Sequence, residues 1–216
     1  MPRPAKAGRY HHGDLRVALI DTAVEVIGER GLRGFSLAEA SRRLGVAVSA
    51  PYAHFADRDD LLAAVAVHAY ELFAAELRPA MDQFQDPADR LAAMARGYVR
   101  FAAAHRPLFD VLYEARLDKA RHPEIEAAER PISEAFLASV RAIADSSEEA
   151  SDELAAALEA TAYGHLMLFL DRDSQPGGKD TELAAERAAR ATLALLESRH
   201  LLDPASPPEP GLRADP

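Results

Sequence analysis

The chain has 216 residues, of which 28% are charged, and a formal net charge of −10 at pH 7. It contains no cysteine, which excludes thiolate zinc sites, iron–sulfur clusters and cysteine nucleophiles. No apolar run approaches the roughly 20 residues that a membrane span needs, and no apolar stretch follows the basic N-terminal residues to form a signal peptide, so we expect a cytoplasmic protein.

The charges are unevenly distributed along the chain. Residues 1–55 contain eight basic and five acidic side chains, a net charge of +3, which leaves −13 for the remainder. A polyanion would therefore be met by the N-terminal part, while the acidic remainder would repel it.

Helical periodicity dominates the sequence and alternating β-branched runs are nearly absent, so we predict an all-α fold with about nine helices. The first helix is expected to begin near Asp14 and to end near Arg30. Ser36 and Glu39 have the spacing of a capping box at the start of a short second helix, which Gly45 ends.

A third short helix is expected up to about Phe55, and Asp57 is placed to cap a long fourth helix. Five further helices are predicted at residues 88–104, 107–117, 124–144, 148–171 and 181–199. Pro131 lies inside the seventh pattern, so that helix is predicted either to kink or to break into two pieces.

The stretch from Leu37 to Leu62 joins two short helical patterns through a glycine turn. Such a turn exposes one helix end-on, and an α-helix has the width that suits the major groove of DNA. This is the geometry of a helix-turn-helix. The stretch therefore predicts a DNA-binding element in the mildly basic part of the chain.

The sequence F-S-L-A-E-A-S-R-R-L-G-V-A-V-S-A-P-Y-A-H-F, followed by A-D-R-D-D-L-L, resembles the DNA-binding domain of the tetracycline-repressor (TetR) family of bacterial transcriptional regulators. The resemblance covers about residues 15–67. Ser36 stands for the capping threonine of the family and Arg58 for its lysine. The turn and aromatic positions of the family pattern are kept at Gly45, Val46, Tyr52, His54 and Phe55.

The resemblance implies two kinds of DNA contact in this stretch. Phosphate contacts position a protein without reading sequence, and they would be made by Ser36, Tyr52, His54 and Arg58. Base contacts would come from the first turn of the third helix, that is from Val48, Ser49 and Ala50. Arg42 completes the set of candidate DNA-binding residues.

Two positions depart from the family pattern. Ala47 replaces the serine of the turn, and Pro51 stands where a leucine is common. A third helix that starts late, with Val48 or Ser49 as its cap, accommodates both changes, because the missing N–H of a proline is not needed in the first turn. We predict that late start.

The segments S-A-P-Y-A-H-F and Y-V-R-F-A-A-A-H-R-P-L-F are also similar to the subgroup whose ligand domain is named for a tryptophan-histidine-glycine motif. At the corresponding place this chain reads A-Y-G-H, residues 162–165. The family resemblance implies that the acidic part dimerises through its last two helices and binds a small-molecule effector. Apolar faces on those helices consist of Leu154, Leu158, Ala162, His165 and Phe169 on one, and of Leu183, Ala184, Arg187, Ala191 and Leu195 on the other.

Candidate effector-binding residues are large or polar groups on otherwise apolar faces. They are Met94, Tyr98, Phe101, Phe109, Tyr113, Phe136, Tyr163 and His165. Aromatic stripes at helical spacing also build the ordinary core of any helical bundle, and His165 is equally explained as a buried histidine with a hydrogen-bond partner.

The chain is thus expected to consist of four parts. These are a flexible basic arm at residues 1–12, a helix-turn-helix domain at 13–58, an effector-binding and dimerisation domain at 59–202, and a disordered proline-rich tail at 203–216.

The expected function is that of a TetR-type transcriptional regulator. It would act as a repressor, bind a near-palindromic double-stranded operator as a homodimer, and be released by a small-molecule effector. The alternative is a helical sensor or oligomerisation module with impaired DNA binding. An enzyme is disfavoured because H-E-x-x-H, G-x-S-x-G and S-x-x-K motifs are missing, and neither a metal nor a cofactor is expected.

Overall fold

A computed structural model describes residues 12–144, 147–169 and 176–202. All regular structure in these ranges is helical, which confirms the predicted fold class. The eight α-helices found there are α1 (His12–Arg30), α2 (Leu37–Leu44), α3 (Arg58–Asp82), α4 (Pro87–Ala104), α5 (Arg106–Glu114), α6 (Pro123–Arg141), α7 (Glu148–Phe169) and α8 (Lys179–Glu197). Short 3₁₀ helices occupy Leu32–Gly34, Ala50–Ala53 and Arg199–Leu202.

Two predicted segments fall largely or wholly beyond these ranges. Of the predicted basic arm only residue 12 is described, as the first residue of α1. The predicted tail at 203–216 lies outside the described residues, as does the predicted end of α7 at residue 171. No helix within the described ranges is long and apolar enough to span a membrane.

Two local features of the sequence bound α2. At its start, the Ser36 hydroxyl accepts a hydrogen bond from the Glu39 N–H at 3.2 Å, as expected for an N-cap serine. At its end, Gly45 adopts the left-handed conformation (φ 65°, ψ 27°), and its N–H donates to the carbonyls of Ser41 and Arg42. The predicted second helix is therefore confirmed at both ends.

The third helix differs from its prediction. It is a 3₁₀ helix of four residues, Ala50–Ala53, with Ser49 as its N-cap residue and Pro51 in its first turn. The late start is confirmed, whereas an α-helix up to Phe55 is wrong. Asp57 already caps α3, so only a short segment lies between Ser49 and Asp57. This segment forms a tight turn, in which the Phe55 N–H donates to the Pro51 carbonyl at 2.9 Å.

The later helices follow the predicted order with shifted ends. α5 ends at Glu114, and α6 ends at Arg141 instead of residue 144. α6 also runs through Pro131 without interruption, so a break into two pieces is wrong. Proline removes one N–H donor from the helix, but Ile132 and Phe136 directly after it pack against the hydrophobic cluster around Phe101 and hold the segment helical.

The chain forms two compact units. Among the described residues, the first unit comprises residues 12–69 and 107–126, and the second comprises residues 70–106 and those from 127 onward. The predicted domain boundary between residues 58 and 59 stays a prediction; the first unit also takes in the first turns of α3 and α5 from Pro107 onward. The aliphatic core of the first unit includes Leu19, Val26, Ile27, Leu61, Leu62, Val65 and Val111.

The second unit is built on close helix packing. Its core contains Phe73, Leu77, Leu91, Met94, Phe101, Val140, Leu154, Leu158 and Leu196. On α8, the completely buried side chains are Ala184, Ala185, Ala188 and Ala189. Because these side chains are small, α8 lies close against α4 and α7, and two ion pairs from α4, Arg96–Glu186 and Arg100–Glu182, add to that contact.

Candidate nucleic-acid interface

The turn after α2 exposes side chains that a folded domain normally buries. Val48 is 60% exposed and Tyr52 is 56% exposed, and Ser49 between them is exposed as well. In the same segment Pro51 and Phe55 are buried, which fixes the turn to the unit. The structure therefore brings three of the candidate DNA-binding residues together on one outward-facing turn, with Ala50 half-buried beside them.

Two further candidates in the first unit have one polar group already engaged or shielded. Ser36 is exposed, and its hydroxyl oxygen accepts the capping hydrogen bond while its O–H remains able to donate to a phosphate. His54 is half-buried and its Nε2 is shielded from solvent. A phosphate contact through that atom therefore needs a change of side-chain rotamer.

Arg58 is turned towards the protein. Its guanidinium donates to the carbonyl oxygens of Leu32 at 2.8 Å and of Phe35 at 3.3 Å, and it lies 5.7 Å from the centroid of the Phe35 ring. These contacts tie the first turn of α3 to the chain just before α2. The phosphate contact that the resemblance implies for Arg58 stays a prediction, and the structure gives this side chain a positioning role.

An ion network covers the exposed side of α2. The Glu39 carboxylate accepts from Arg42 at 2.9 and 2.7 Å, from Arg43 Nε at 3.1 Å, and pairs with Arg30 Nη1 at 3.2 Å. Arg43 also donates through Nη1 to Glu29 at 2.8 Å. The hydrogen bonds from Arg42 and Arg43 lower the pKa of Glu39 to about 2. The predicted capping box is therefore half formed. The Ser36 hydroxyl caps the helix, whereas the Glu39 carboxylate accepts hydrogen bonds from the arginines.

A second polar cluster supports the start of α3. Asp57 caps the helix as predicted, since its Oδ1 accepts from the N–H groups of Asp59 and Asp60 at 2.9 and 3.0 Å. Arg121 Nη2 donates to Asp57 Oδ2 at 2.5 Å and to Asp60 Oδ1 at 3.2 Å. The Arg121 guanidinium holds the pKa of Asp57 below its ordinary value. The buried His122 is also part of this cluster, and its Nε2 lies 3.8 Å from Asp60 Oδ1.

Sequence reasoning predicted the Asp57 cap but missed the role of Arg121 in this cluster and one cation near the exposed turn. Arg121 pairs with residues 61 and 64 positions away along the chain, so no local spacing could have indicated it. Arg16 of α1 lies 5.3 Å from the centroid of the Phe55 ring, which places an exposed positive charge near the segment that carries Tyr52.

Comparison with known families agrees with this geometry. Residues 19–65 match the family model of bacterial regulatory proteins of the tetR family, and residues 91–192 match that of the tetracyclin repressor-like C-terminal domain. The chain belongs to the TetR family. These matches do not address the tryptophan-histidine-glycine subgroup, which stays a prediction.

Individual relatives of this TetR-family chain cover different fractions of it. The HTH-type transcriptional regulator BetI of Brucella canis is 32% identical over 89 residues, which is 41% of this chain and 44% of BetI, so the chain spans less than half the length of that relative. A protein with unknown function from Rhodococcus sp. RHA1 has a TM-score of 0.68 at 26% identity, covering 86% of this chain and 97% of its own. AibR in complex with isovaleryl coenzyme A and operator DNA gives 0.62 at 16% identity, over 83% of this chain and 96% of AibR, and shares the fold.

The candidate effector residues of this TetR-family protein are divided between the two units. Met94 and Phe101 are buried in the core of the second unit, and Tyr98 and Phe136 pack against that core. In the first unit, the rings of Phe109 and Tyr113 stack with centroids 4.4 Å apart. On α7, Tyr163 is exposed, and His165 places Nδ1 2.8 Å from the Thr161 carbonyl oxygen.

A cavity of about 250 Å³ lies elsewhere in the second unit, between α3 and α6. It is lined by Ala74, Leu77, Arg78, Met81, Asp82, Pro131, Ile132 and Ala135. None of the predicted effector residues is among them. Its walls are mainly apolar with one cation and one anion, a composition found in small-molecule sites.

The apolar faces assigned to the last two helices need a correction. Leu154, Leu158 and Ala184 are buried within the single chain, because that side of α7 and α8 packs against α4 and the core of the second unit. The large apolar side chains that α7 and α8 expose among the described residues are Tyr163, Met167, Leu168 and Leu183. Leu183 alone belongs to the predicted faces, and the side chain of Phe169 lies outside the described residues.

In the described part of the chain, no group of three or more histidine, aspartate or glutamate side chains is arranged to hold a metal ion.

Proposed function

We propose that the protein is a cytoplasmic transcriptional repressor that binds a near-palindromic operator as a homodimer and leaves it when a small-molecule effector binds. DNA-binding transcriptional regulation is the activity of the TetR family to which the chain belongs. The protein would act as a regulator and not as an enzyme.

The exposed turn of residues 48–52 carries this proposal. Val48, Ser49 and Tyr52 offer an apolar group, a hydroxyl and a phenol to solvent while their neighbours Pro51 and Phe55 are buried. Apolar groups and hydroxyls in this position can meet thymine methyl groups and base edges, and a tyrosine O–H can donate to a phosphate. An exposed turn with this chemistry, anchored by two buried neighbours, suits the major groove.

Exposed apolar side chains on the last two helices support the homodimer. Tyr163, Met167 and Leu168 lie on α7 and are 40%, 50% and 79% exposed, and Leu183 on α8 is also exposed. Residues 163 and 167 are one helical turn apart and share a face. An exposed stripe of this kind marks an interaction surface, and a two-fold dimer would present its two exposed turns to half-sites one helical repeat of DNA apart, or a multiple of it.

The cavity between α3 and α6 supports effector binding. A small, mainly apolar molecule would find there an arginine and an aspartate to orient it. AibR, which shares this fold, was solved with both isovaleryl coenzyme A and operator DNA, so the fold is able to hold both kinds of ligand.

The deciding experiment is footprinting on genomic fragments with the wild type, the Tyr52→Ala, His54→Ala double variant and a Val17→Ala control. Val17 is a suitable control because it lies in the first unit and its side chain is as exposed as that of Tyr52. We expect a near-palindromic protected site for the wild type and for Val17→Ala, and loss of protection in the double variant. Equal, sequence-independent binding by all three proteins would contradict the proposal.

One feature favours a second candidate function, that of a helical sensor or oligomerisation module with impaired DNA binding. The segment that should enter the groove is a four-residue 3₁₀ helix, Ala50–Ala53, instead of an α-helix. For such a module, retention on heparin would not fall with salt in the way that phosphate contacts require.

A further inference from the structure

We propose that Glu39 is a specificity-determining residue of the DNA-binding surface, because its carboxylate holds Arg42 in an internal ion pair that a DNA phosphate must displace. The inference rests on the proposed function, since it presumes that the first unit binds DNA. Neither the resemblance to the TetR family nor the candidate set of DNA-binding residues assigns Glu39 such a role.

The geometry makes Glu39 a counter-ion shared by three arginines. Arg42 donates to both carboxylate oxygens, at 2.9 and 2.7 Å, in the two-pronged arrangement that the guanidinium fork prefers. Arg43 Nε and Arg30 Nη1 approach Oε1 at 3.1 and 3.2 Å. The Glu39 side chain is only 13% exposed, whereas that of Arg42 is 65% exposed. The acid is thus enclosed by the cations, and Arg42 remains within reach of solution.

The charges of this cluster nearly cancel. Arg30, Arg42 and Arg43 are balanced by Glu29 and Glu39, so five charged side chains present a net charge of +1. Since non-specific DNA affinity grows with the number of cations that neutralise phosphates, α2 attracts DNA less than its two adjacent arginines suggest. Glu39 is ionised at neutral pH, as an ordinary glutamate is, and the hydrogen bonds from Arg42 and Arg43 lower its pKa further, to about 2.

The cluster also determines which arginine would be released. Arg43 has a second partner in Glu29, at 2.8 Å, and keeps it when the Glu39 charge is removed. Glu39 lies three positions before Arg42 in the sequence. Among the described side chains, Arg42 donates to Glu39 alone. Removing the charge on Glu39 therefore frees Arg42 most, because Arg42 loses two hydrogen bonds, whereas Arg30 on α1 loses a single 3.2 Å ion-pair contact.

This arrangement favours the correct DNA site over random DNA. A phosphate at a fixed position beside α2 can take over the guanidinium of Arg42 and so compensate for the broken pair with Glu39. On random sequences the phosphates are not held in that position, and the carboxylate keeps the arginine. Glu39 thereby lowers non-specific affinity more than operator affinity, which raises the ratio between the two.

The experiment compares Glu39→Gln with Glu25→Gln by fluorescence anisotropy, on the footprinted operator and on a random duplex, across a series of salt concentrations. Glu25 is a matched control because it is an exposed glutamate of α1 in the same unit and forms no ion pair within the described residues. Glutamine at position 39 keeps the backbone N–H that Ser36 caps. Glu39→Asp, Arg42→Ala and the Arg42→Ala, Glu39→Gln double variant complete the set.

We expect Glu39→Gln to bind the random duplex about tenfold more tightly, the size of one charge-assisted contact, and to steepen the slope of log K against log salt by about 1. The gain on operator DNA should be smaller. Glu25→Gln and Glu39→Asp should follow the wild type, and the gain should vanish in the double variant with Arg42→Ala.

Two results would overturn the inference while leaving the proposed function intact. One is an equal effect of Glu39→Gln and Glu25→Gln on both duplexes. The other is a gain that persists in the double variant, since it would then not pass through Arg42. A wild type that binds neither duplex overturns the proposed function and, with it, the role of Glu39.

Discussion

The two compact units hold their candidate functional residues in different ways. In the first unit, all candidate DNA-binding residues come from one segment, residues 36–58, and three local features position them: the Ser36 cap, the left-handed Gly45 and the Asp57 cap. In the second unit, the candidate effector residues come from α4, α6 and α7 and lie either in the core or on the surface.

This difference shows which structural features are determined by residues close together in the sequence. A cap or a left-handed glycine acts over three or four residues, so its spacing is visible in the sequence. A cavity or a dimer face depends on which side of a helix turns inwards, and this is decided by the packing of helices far apart in the chain. The comparison can be tested by perturbing each kind of feature.

The largest expected effect is on the packed core of the second unit. Phe101 is fully buried and its ring lies 4.7 Å from that of Phe73. Phe101→Ala should lower the free energy of unfolding by about 3–5 kcal/mol, through lost burial and the cavity that remains. Urea denaturation followed by circular dichroism, at one fixed protein concentration, measures it.

The control for this core variant is Leu201→Ala, which truncates an exposed side chain of the same unit. Its effect should stay within about 0.5 kcal/mol. If the two variants lost similar stability, Phe101 would not belong to a tightly packed core, and its assignment as an effector contact would gain support.

Particular residues show which structural features could be predicted from the sequence and which could not. The caps at Ser36 and Asp57 and the end of α2 at Gly45 were all predictable, because each acts locally. The four-residue 3₁₀ helix was not, since its geometry depends on how Pro51 and Phe55 are buried in the first unit. The pairing of Arg121 with Asp57 was not predictable either, because the two residues meet only in the folded chain.

The faces of α7 illustrate a different limit. Both sides of this helix carry apolar residues, Leu154 and Leu158 on one side and Tyr163 and Met167 on the other. Periodicity alone marks two apolar stripes without saying which one packs inside the chain. Burial in the structure decides this, and leaves the second stripe as the candidate dimer face.

A smaller effect is expected at the turn of the first unit. Gly45 has φ 65°, a left-handed conformation that side chains with a Cβ rarely adopt, although no atom would crowd an added Cβ. Gly45→Ala should therefore cost about 1–2 kcal/mol through backbone strain alone. Gly45→Asn, read in the same thermal or urea unfolding experiment, should cost less, because asparagine tolerates this conformation. Equal losses would mean that the turn does not depend on its backbone conformation.

A still smaller effect is expected for the ion pairs between α4 and α8. Arg96 Nε lies 2.6 Å from Glu186 Oε1, and both side chains are partly exposed. A double-mutant cycle with Arg96→Ala and Glu186→Ala should give a coupling energy of about 0.2–1 kcal/mol. The coupling should shrink at high salt. A value of several kcal/mol would show that charge, and not the close packing of alanines, holds α8 in place.

The smallest effect is expected from the titration of Glu39 in the first unit. Its pKa is lowered from 4.5 to about 2 by the hydrogen bonds from Arg42 and Arg43. Because the folded-state pKa lies below the unfolded one, the stabilisation is fully present above about pH 4.5 and is lost as the pH falls towards 2. Glu39→Gln should therefore be less stable than the wild type at pH 7, with a difference that narrows only in that acidic window. A difference that instead changed between pH 7 and 5 would contradict the assignment of this stabilisation to the Glu39 carboxylate.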